Sequence, residues 1–275
     1  MFLLCGRYCF AIKKDKMDND NQGNEFSHLN TEKQSIPSQL NPVYRFDNFI
    51  KGECNQVVFN AGLEVATEHG QTHYNPFIIV GDTGLGKTHL ANAIGSKILE
   101  SDSNKRVIYV SASDLCRQYN TGNKLDFLHF YNMFDVLIID DIQIIENIAL
   151  KTQEIFPILI DCILGHHGQV ILTSAKDPDK LKRVGPRLSS RLKGGLIARL
   201  EIPDEITIIQ YLLQKAQIDF DIPLSNEIAN YIAKNTSTDF RGLNGVLASL
   251  KAQYLFINKP ITIDLVKQVI APIKQ

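Results

Sequence analysis

The run Gly81-Asp82-Thr83-Gly84-Leu85-Gly86-Lys87-Thr88 carries the strongest chemical signal in the sequence, with the spacing G-x-x-x-x-G-K-T. Glycines at Gly81, Gly84 and Gly86 let a loop wrap until its N–H groups converge on phosphate oxygens. The Lys87 ammonium would reach the β and γ phosphates of a nucleotide, and the Thr88 hydroxyl would ligate Mg²⁺. The competing reading is a glycine-rich turn that binds nothing. The flanks argue against it. An apolar run, Phe77-Ile78-Ile79-Val80, leads into the loop and a helical stretch leaves it at His89. A helix start there adds the positive end of its dipole to an anion site.

A second chemical element is Asp135-Val136-Leu137-Ile138-Ile139-Asp140-Asp141. A buried strand that ends in carboxylates is how such a loop acquires an acid beside its Mg²⁺. Asp140 reads as the metal-side carboxylate and Asp141 as the group that orients or activates water. Taken alone, the pair would read as a cap on the next turn. Arg187 and Arg191 stand four apart in Pro186-Arg187-Leu188-Ser189-Ser190-Arg191-Leu192 and so share one helical face. They read either as surface charge or as a source of an arginine that completes a neighbouring nucleotide site. Arg241 begins a helical stretch, where a cation opposes the helix dipole. Helix stability does not explain it; a partner anion would.

The elements that must hold these residues follow from hydrophobic patterning. Phe77 to Val80, Val107 to Val110, Val136 to Ile139, Val170 to Thr173 and Ile197 to Ile202 are short apolar runs of the kind found in strands buried on both faces. Helical stretches lie between or before them: Asn55 to Glu68, His89 to Glu100 and Thr152 to Leu164. Alternation of this kind predicts a parallel sheet wrapped by helices on both faces. After Pro203 strand patterning stops. Glu205 to Gln217, Ser225 to Asn235, Phe240 to Phe256 and Ile263 to Ile270 have helical spacing, with Ser225 and Thr262 as helix starts. The expected organisation is an unstructured leader over 1–41, an α/β nucleotide-binding domain over 42–203 and a small all-helical lid over 204–275.

Composition narrows the function classes. The 275 residues are 44% apolar, ample for an α/β domain with a satellite. A formal net charge of −1 argues against non-specific duplex binding as the main activity; single-strand contact through a local surface stays open. The five cysteines form no C-x-x-C pair, so free thiols in a reducing cytosol are expected and a structural zinc is not. The apolar start, Met1 to Ile12, is too short to span a bilayer and lacks the features of a signal peptide. Met17 is an alternative start. Residues Lys13 to Asn41 are rich in polar and charged types and read as disordered.

Together these residues resemble the AAA+ core of the bacterial replication-initiator family DnaA. The resemblance begins at Tyr44-Arg45-Phe46-Asp47-Asn48-Phe49 with Gly52 and Asn55, the segment that in the family packs on adenine. It continues through Tyr74-Asn75-Pro76, the phosphate loop, Asp140-Asp141-Ile142-Gln143 and Ile171-Leu172-Thr173-Ser174, and reaches the C-terminus. It implies that Arg187 and Arg191 are the family's motif arginines, with Arg191 acting in trans, and that Arg241 contacts nucleotide from the lid. It further implies ATP or ADP with Mg²⁺ as cofactors, weak ATPase activity and a cytoplasmic location. The partner would be a second copy or a full-length initiator, met through the nucleotide interface.

The sequence also departs from the family. No helicase-contacting domain is evident before Tyr44, and no helix-turn-helix follows the lid, so duplex reading is not expected. Ala175 stands where the family has an acid after Thr173-Ser174, which bears on hydrolysis rate. Cys116 to Phe134 looks shorter than the family's helical insert, and Leu192 and Gly194 replace a Phe and a Trp. The leading expectation is a nucleotide switch in initiation of chromosomal replication or its regulation. The alternatives are an Hda-like adaptor that stimulates hydrolysis by a full-length initiator, and a truncated initiator paralogue.

Overall fold

The computed structural model describes residues 38–68, 73–236 and 239–271. The expectations for Met1 to Ile12 and for most of the leader lie outside the described residues. The last part of that leader is not loose. Ser38 accepts a hydrogen bond from the Tyr109 N–H at 2.9 Å, and the Asn41 N–H donates to Asn92 Oδ1 at 2.8 Å. Leu40 supplies the apolar anchor that the polar composition hides, packing over Gly95 and Ile138.

The chain then alternates helix and strand. Helix α1 (Gln56–Thr67) precedes β1 (Phe77–Val80), which feeds through the glycine-rich loop into α2 (Lys87–Ser101). Strand β2 (Val107–Ser111) is followed by α3 (Ala112–Thr121) and α4 (Lys124–Tyr131), and β3 (Val136–Asp140) by α5 (Leu150–Gln153) and α6 (Ile155–Gly165). Strand β4 (Gln169–Ser174), α7 (Pro186–Leu192) and β5 (Leu196–Arg199) complete the α/β part. The five strands form a sheet in the order β2-β3-β4-β1-β5, with every neighbouring pair parallel.

Both faces are covered, which is why the strands read as unbroken apolar runs. Ile78, Val80, Leu137, Ile139 and Leu172 point to one side, against Leu115, Phe127, Phe156 and Leu188. Phe77, Ile79, Val136, Ile138 and Ile171 point to the other, against Val58, Val65, Leu90 and Ile94. Because the strands are parallel, the carboxyl ends of β1, β3 and β4 open on one edge of the sheet, where ligands of α/β proteins gather.

Helices α8 (Glu205–Lys215), α9 (Asn226–Asn235), α10 (Phe240–Phe256) and α11 (Ile263–Ile270) close a separate core around Ile208, Leu212, Ile232, Leu243, Leu247 and Val266. Side-chain caps begin them: Asp204, Ser225, Asp239 and Thr262 each accept from a first-turn N–H. Ile50, from far earlier in the chain, is part of this core. Among the described residues no helix is long and apolar enough to cross a membrane.

Three element boundaries differ from expectation. The helix expected over Thr152 to Leu164 is broken at Glu154 into α5 and α6. Pro157 has no N–H to donate to Gln153, so it is tolerated only in a new first turn. Strand β5 stops at Arg199, short of Ile202: the Leu200 N–H still reaches Val80, but the Glu201 N–H turns to the Cys54 carbonyl. Helix α8 ends at Lys215 and passes into one wider turn, Ala216–Phe220.

Gly195, which leads into β5, fixes how closely the chain approaches β1. A Cβ there would lie 1.9 Å from the Pro76 carbonyl oxygen. Gly195→Ala must push the two strands apart, and we expect it to destabilise the protein by about 1–3 kcal/mol, the usual cost of overpacking. A denaturant midpoint equal to that of the wild type would contradict this packing.

Candidate functional site

The loop between β1 and α2 depends on glycine where the backbone turns left-handed. Gly84 has φ +86° and Gly86 φ +96°. A Cβ on Gly84 would also fall 2.9 Å from Asp239 of the lid, and one on Gly86 3.3 Å from Phe49. Lys87 opens α2 and is 6% exposed. Its ammonium donates to the carbonyls of Gly81 and Asp82, both at 2.8 Å. Burial pushes the Lys87 pKa below its ordinary value, while Asp141 and Asp140 pull it back up and Arg241 lowers it further.

Asp140, the last residue of β3, is buried among hydroxyls. Its Oδ2 accepts from Thr88 Oγ1 at 2.9 Å and from the Tyr109 hydroxyl at 2.6 Å, and Oδ1 accepts from the Thr173 hydroxyl. Burial, reinforced by this carboxylate, raises the Tyr109 pKa, so the phenol stays a donor. Asp141 leaves the sheet in a left-handed conformation, φ 58°, which acids tolerate better than most residues. Its N–H donates to Thr173 Oγ1 at 2.9 Å. Gln143 spans the gap beyond, donating to Asp141 Oδ1 at 3.0 Å and accepting from the Ala175 N–H at 2.9 Å.

A cleft of about 390 Å³ opens between the loop and the lid. Thr83 to Thr88 form its floor, with Asp141 and Gln143 at one end. Tyr44, Phe49 and His89 wall the other end: the Tyr44 and His89 rings stack at 4.9 Å, and Phe49 meets His89 edge-on at 5.2 Å. The His89 ring also bonds the Arg45 carbonyl at 2.9 Å, and burial lowers its pKa. From the lid come Tyr211, Lys215, Arg241 and Asn244, with Tyr211 donating to Asn244 Oδ1 at 2.8 Å. The lid touches the loop directly, since the Phe240 N–H donates to the Gly84 carbonyl at 3.2 Å.

The residues singled out by sequence thus fall into groups. Gly84, Gly86, Lys87, Thr88, Asp141 and Arg241 line the cleft, and Asp140 lies directly behind Thr88. Gly81 is off the wall, with the Leu200 carbonyl where its Cβ would be. Asn55 is off the wall too. Buried, it donates to the Ile50 carbonyl at 2.9 Å and accepts from the Gly52 N–H at 3.0 Å, bracing the segment that carries Phe49 and Ile50. Arg187 and Arg191 are on α7 and pair with Asp161 of α6, away from the cleft. Sequence reasoning missed His89, Tyr109, Gln143, Tyr211, Lys215 and Asn244. Tyr211 and Lys215 are one helical turn apart, a spacing that could have marked a shared face.

The donor set fits a magnesium nucleotide. Lys87, Lys215 and Arg241 against Asp141 leave the cleft walls cationic, as a polyphosphate requires. The Thr88 hydroxyl and Asp140 carboxylate present oxygens 2.9 Å apart, matching the oxygen preference of a hard cation that binds through few protein groups.

Comparison with known proteins agrees with this geometry. The bacterial DnaA ATPase-domain model matches residues 40–199. The chromosomal replication initiator protein DnaA of Flavobacterium psychrophilum is 40% identical over 242 residues, 86% of this chain and 50% of the relative. The chain therefore spans half the length of that curated relative. Among solved structures, domain III of the Thermotoga maritima replication initiation protein DnaA superposes with a TM-score of 0.79 at 30% identity, over 85% of this chain and 98% of that one. AMPPCP-bound DnaA from Aquifex aeolicus superposes with a TM-score of 0.70 at 32% identity, over 78% and 67%. With the phosphate loop, the five-stranded parallel sheet and the helical lid in one arrangement, the chain belongs to the bacterial DnaA ATPase-domain family, within the AAA+ fold.

Proposed function

We propose that this protein is a nucleotide switch that binds ATP or ADP with Mg²⁺ between sheet and lid, and that it serves the initiation of chromosomal replication or its control. The observation that carries this reading is the meeting of Lys87 and Arg241 in the walls of one cleft. These cations come from two separately cored parts of the chain, so an anion bound between them would join the parts. The AMPPCP complex of the Aquifex relative supports a triphosphate in that position, and the name of the Flavobacterium relative supports the replication role.

Lys87 would exchange the carbonyls of Gly81 and Asp82 for phosphate oxygens. Gly84 and Gly86 keep the loop backbone open to them, and Arg241 would meet the last phosphoryl group from the lid. Thr88 and Asp140 would hold Mg²⁺, which when bound neutralises charge on the β and γ oxygens. Asp141, steadied by Gln143, would orient water. Tyr44, Phe49, His89 and Tyr211 offer the apolar, aromatic end for the base, with Asn55 bracing that segment from behind. Ala175 stands where an acid would otherwise help, and its N–H is taken by Gln143, which suits a slow ATPase that acts by state. Arg191, outside its own cleft, would serve the nucleotide of a second copy or of a full-length initiator, with Arg187 beside it.

Titration of the purified chain with a fluorescent ATP analogue and Mg²⁺ tests the cleft. Lys87→Ala should weaken binding by about tenfold to a hundredfold, the worth of hydrogen bonds to a charged group. Arg241→Ala should also weaken it, and should reduce the preference for ATP over ADP because it senses the last phosphoryl group. Equal affinities for wild type and Lys87→Ala would end the reading. Size-exclusion chromatography tests the second part. The wild type should shift to larger species with ATP and not with ADP, and Arg191→Ala should lose that shift; identical profiles for the two proteins would rule out engagement in trans.

A further inference from the structure

We infer that Asp161 is a positioning residue for Arg191, gripping its guanidinium by the Nε edge so that the outer nitrogens face a phosphoryl group held by a second copy of this chain. The inference rests on the trans role proposed above for Arg191 and adds the group that makes that arginine a fixed donor.

The case begins with what α7 fixes and what it leaves free. Leu188 and Leu192 are 1% and 0% exposed and seat the helix in the core. Its entry is pinned as well: the Gly185 N–H donates to Gln153 Oε1 at 3.1 Å, and the Gln153 amide donates to the Arg183 carbonyl at 2.9 Å. The backbone beneath Arg191 is therefore rigid. An arginine side chain on a rigid backbone still has freely rotating bonds, and ordering them is an entropic cost of any contact it makes.

Asp161 removes that freedom. It projects from α6, beside α7, and gives one carboxylate oxygen to each arginine. Arg187 donates through a terminal nitrogen at 2.8 Å, and Arg191 donates through Nε to the other oxygen. The side of contact matters. A guanidinium recognises a phosphate best through its paired outer N–H groups, and an Nε contact leaves that fork available on Arg191. A latch that silenced the arginine would occupy the fork instead. The charges also allow the role, because a single carboxylate between two guanidiniums leaves the group positive. Asp161 is 19% exposed and Arg191 33%, enough shelter to hold a geometry and enough access to meet another molecule.

Sedimentation velocity of the full chain at saturating Mg²⁺-ATP provides the test, run on wild type, Arg191→Ala, Asp161→Ala, Asp161→Asn and the double Asp161→Ala, Arg191→Ala. Asp161→Ala should weaken ATP-dependent assembly by about three- to tenfold, the entropy of immobilising one long side chain. Asp161→Asn, which keeps an acceptor, should recover part of the loss. In the Arg191→Ala background the Asp161→Ala change should add nothing. Side-chain ¹⁵N NMR of the isolated chain checks the contact itself: the Arg191 Nε–H should exchange slowly in the wild type and quickly in Asp161→Ala. Assembly of Asp161→Ala equal to or stronger than wild type overturns the inference, as does a double variant that assembles more weakly than Arg191→Ala alone, or Nε–H protection that survives the substitution. If Arg191→Ala itself assembles like the wild type, the trans reading fails and this inference fails with it. If Arg191→Ala is impaired and Asp161→Ala is not, the positioning role alone is lost.

Discussion

Lys87 is a buried residue whose ammonium rests on two neutral carbonyl oxygens. Taking a charge from water is costly unless it is paired and hydrogen-bonded, and burial accordingly pulls this lysine toward its neutral form. Such a group is poised to gain from an arriving anion. What surrounds it offsets part of the cost: Asp141 and Asp140 both favour the charged form, Asp140 while engaged by three hydroxyls. The ammonium's own hydrogen bonds go to the Gly81 and Asp82 carbonyls.

The sheet exists, in functional terms, to hold that ammonium. β1 lies between β4 and β5, so the strand that feeds the loop is hydrogen-bonded on both sides. The neighbouring strand ends deliver Thr173 and Asp140 to the loop from one direction only, since every pairing is parallel. The lid is tied to the same point by the Phe240 N–H on Gly84 and by Asp239 packed over that glycine. A third tie runs through the segment before α1. Phe49 closes over Gly86 while its neighbour Ile50 is buried in the lid's own core. Loop and lid are thus joined at three points: the Phe240 hydrogen bond, Asp239 over Gly84, and the segment of Phe49 and Ile50.

Much of this was legible in the sequence, for a physical reason: strands covered on both faces write themselves as apolar runs, and a phosphate loop requires glycine, lysine and hydroxyl at set places. Asp140 and Asp141 stood out because a buried strand that ends in carboxylates puts an acid beside such a loop. What escaped was whatever depends on distant pairing. Tyr109 reads as one more residue of an edge strand, and its hydroxyl acquires meaning only when β2 lies beside β3. Gln143 links Asp141 to Ala175 across a gap of 32 residues from its second partner. Tyr211, Lys215 and Asn244 look like any amphipathic lid surface until the lid is placed over the loop. Asn55 is placed differently. Its type and position were noticed, but a buried amide satisfied by the Ile50 carbonyl and the Gly52 N–H is a brace for its own segment, not a cleft wall. The lost strand residues after Arg199 and the split at Glu154 are local contests, the Cys54 carbonyl and Pro157 outbidding the pattern.

The arginines make the distinction sharpest. By composition Arg187, Arg191 and Arg241 are alike, three exposed-type cations on helices. Arg241 stands in the first turn of α10, where the dipole penalises it, and the compensation is visible in the cleft it faces. Arg191 carries no such penalty, since it lies in the last turn of α7 where a cation is favoured; Arg187, in the first turn of the same helix, has its penalty offset by its ion pair with Asp161. Their local environment is already satisfied by Asp161, so nothing within this chain demands a nucleotide of them. Asp161 holds Arg191 by Nε, which leaves its outer nitrogens for the trans contact proposed above. That asymmetry separates Arg241, in the wall of its own cleft, from Arg191, which lies outside it.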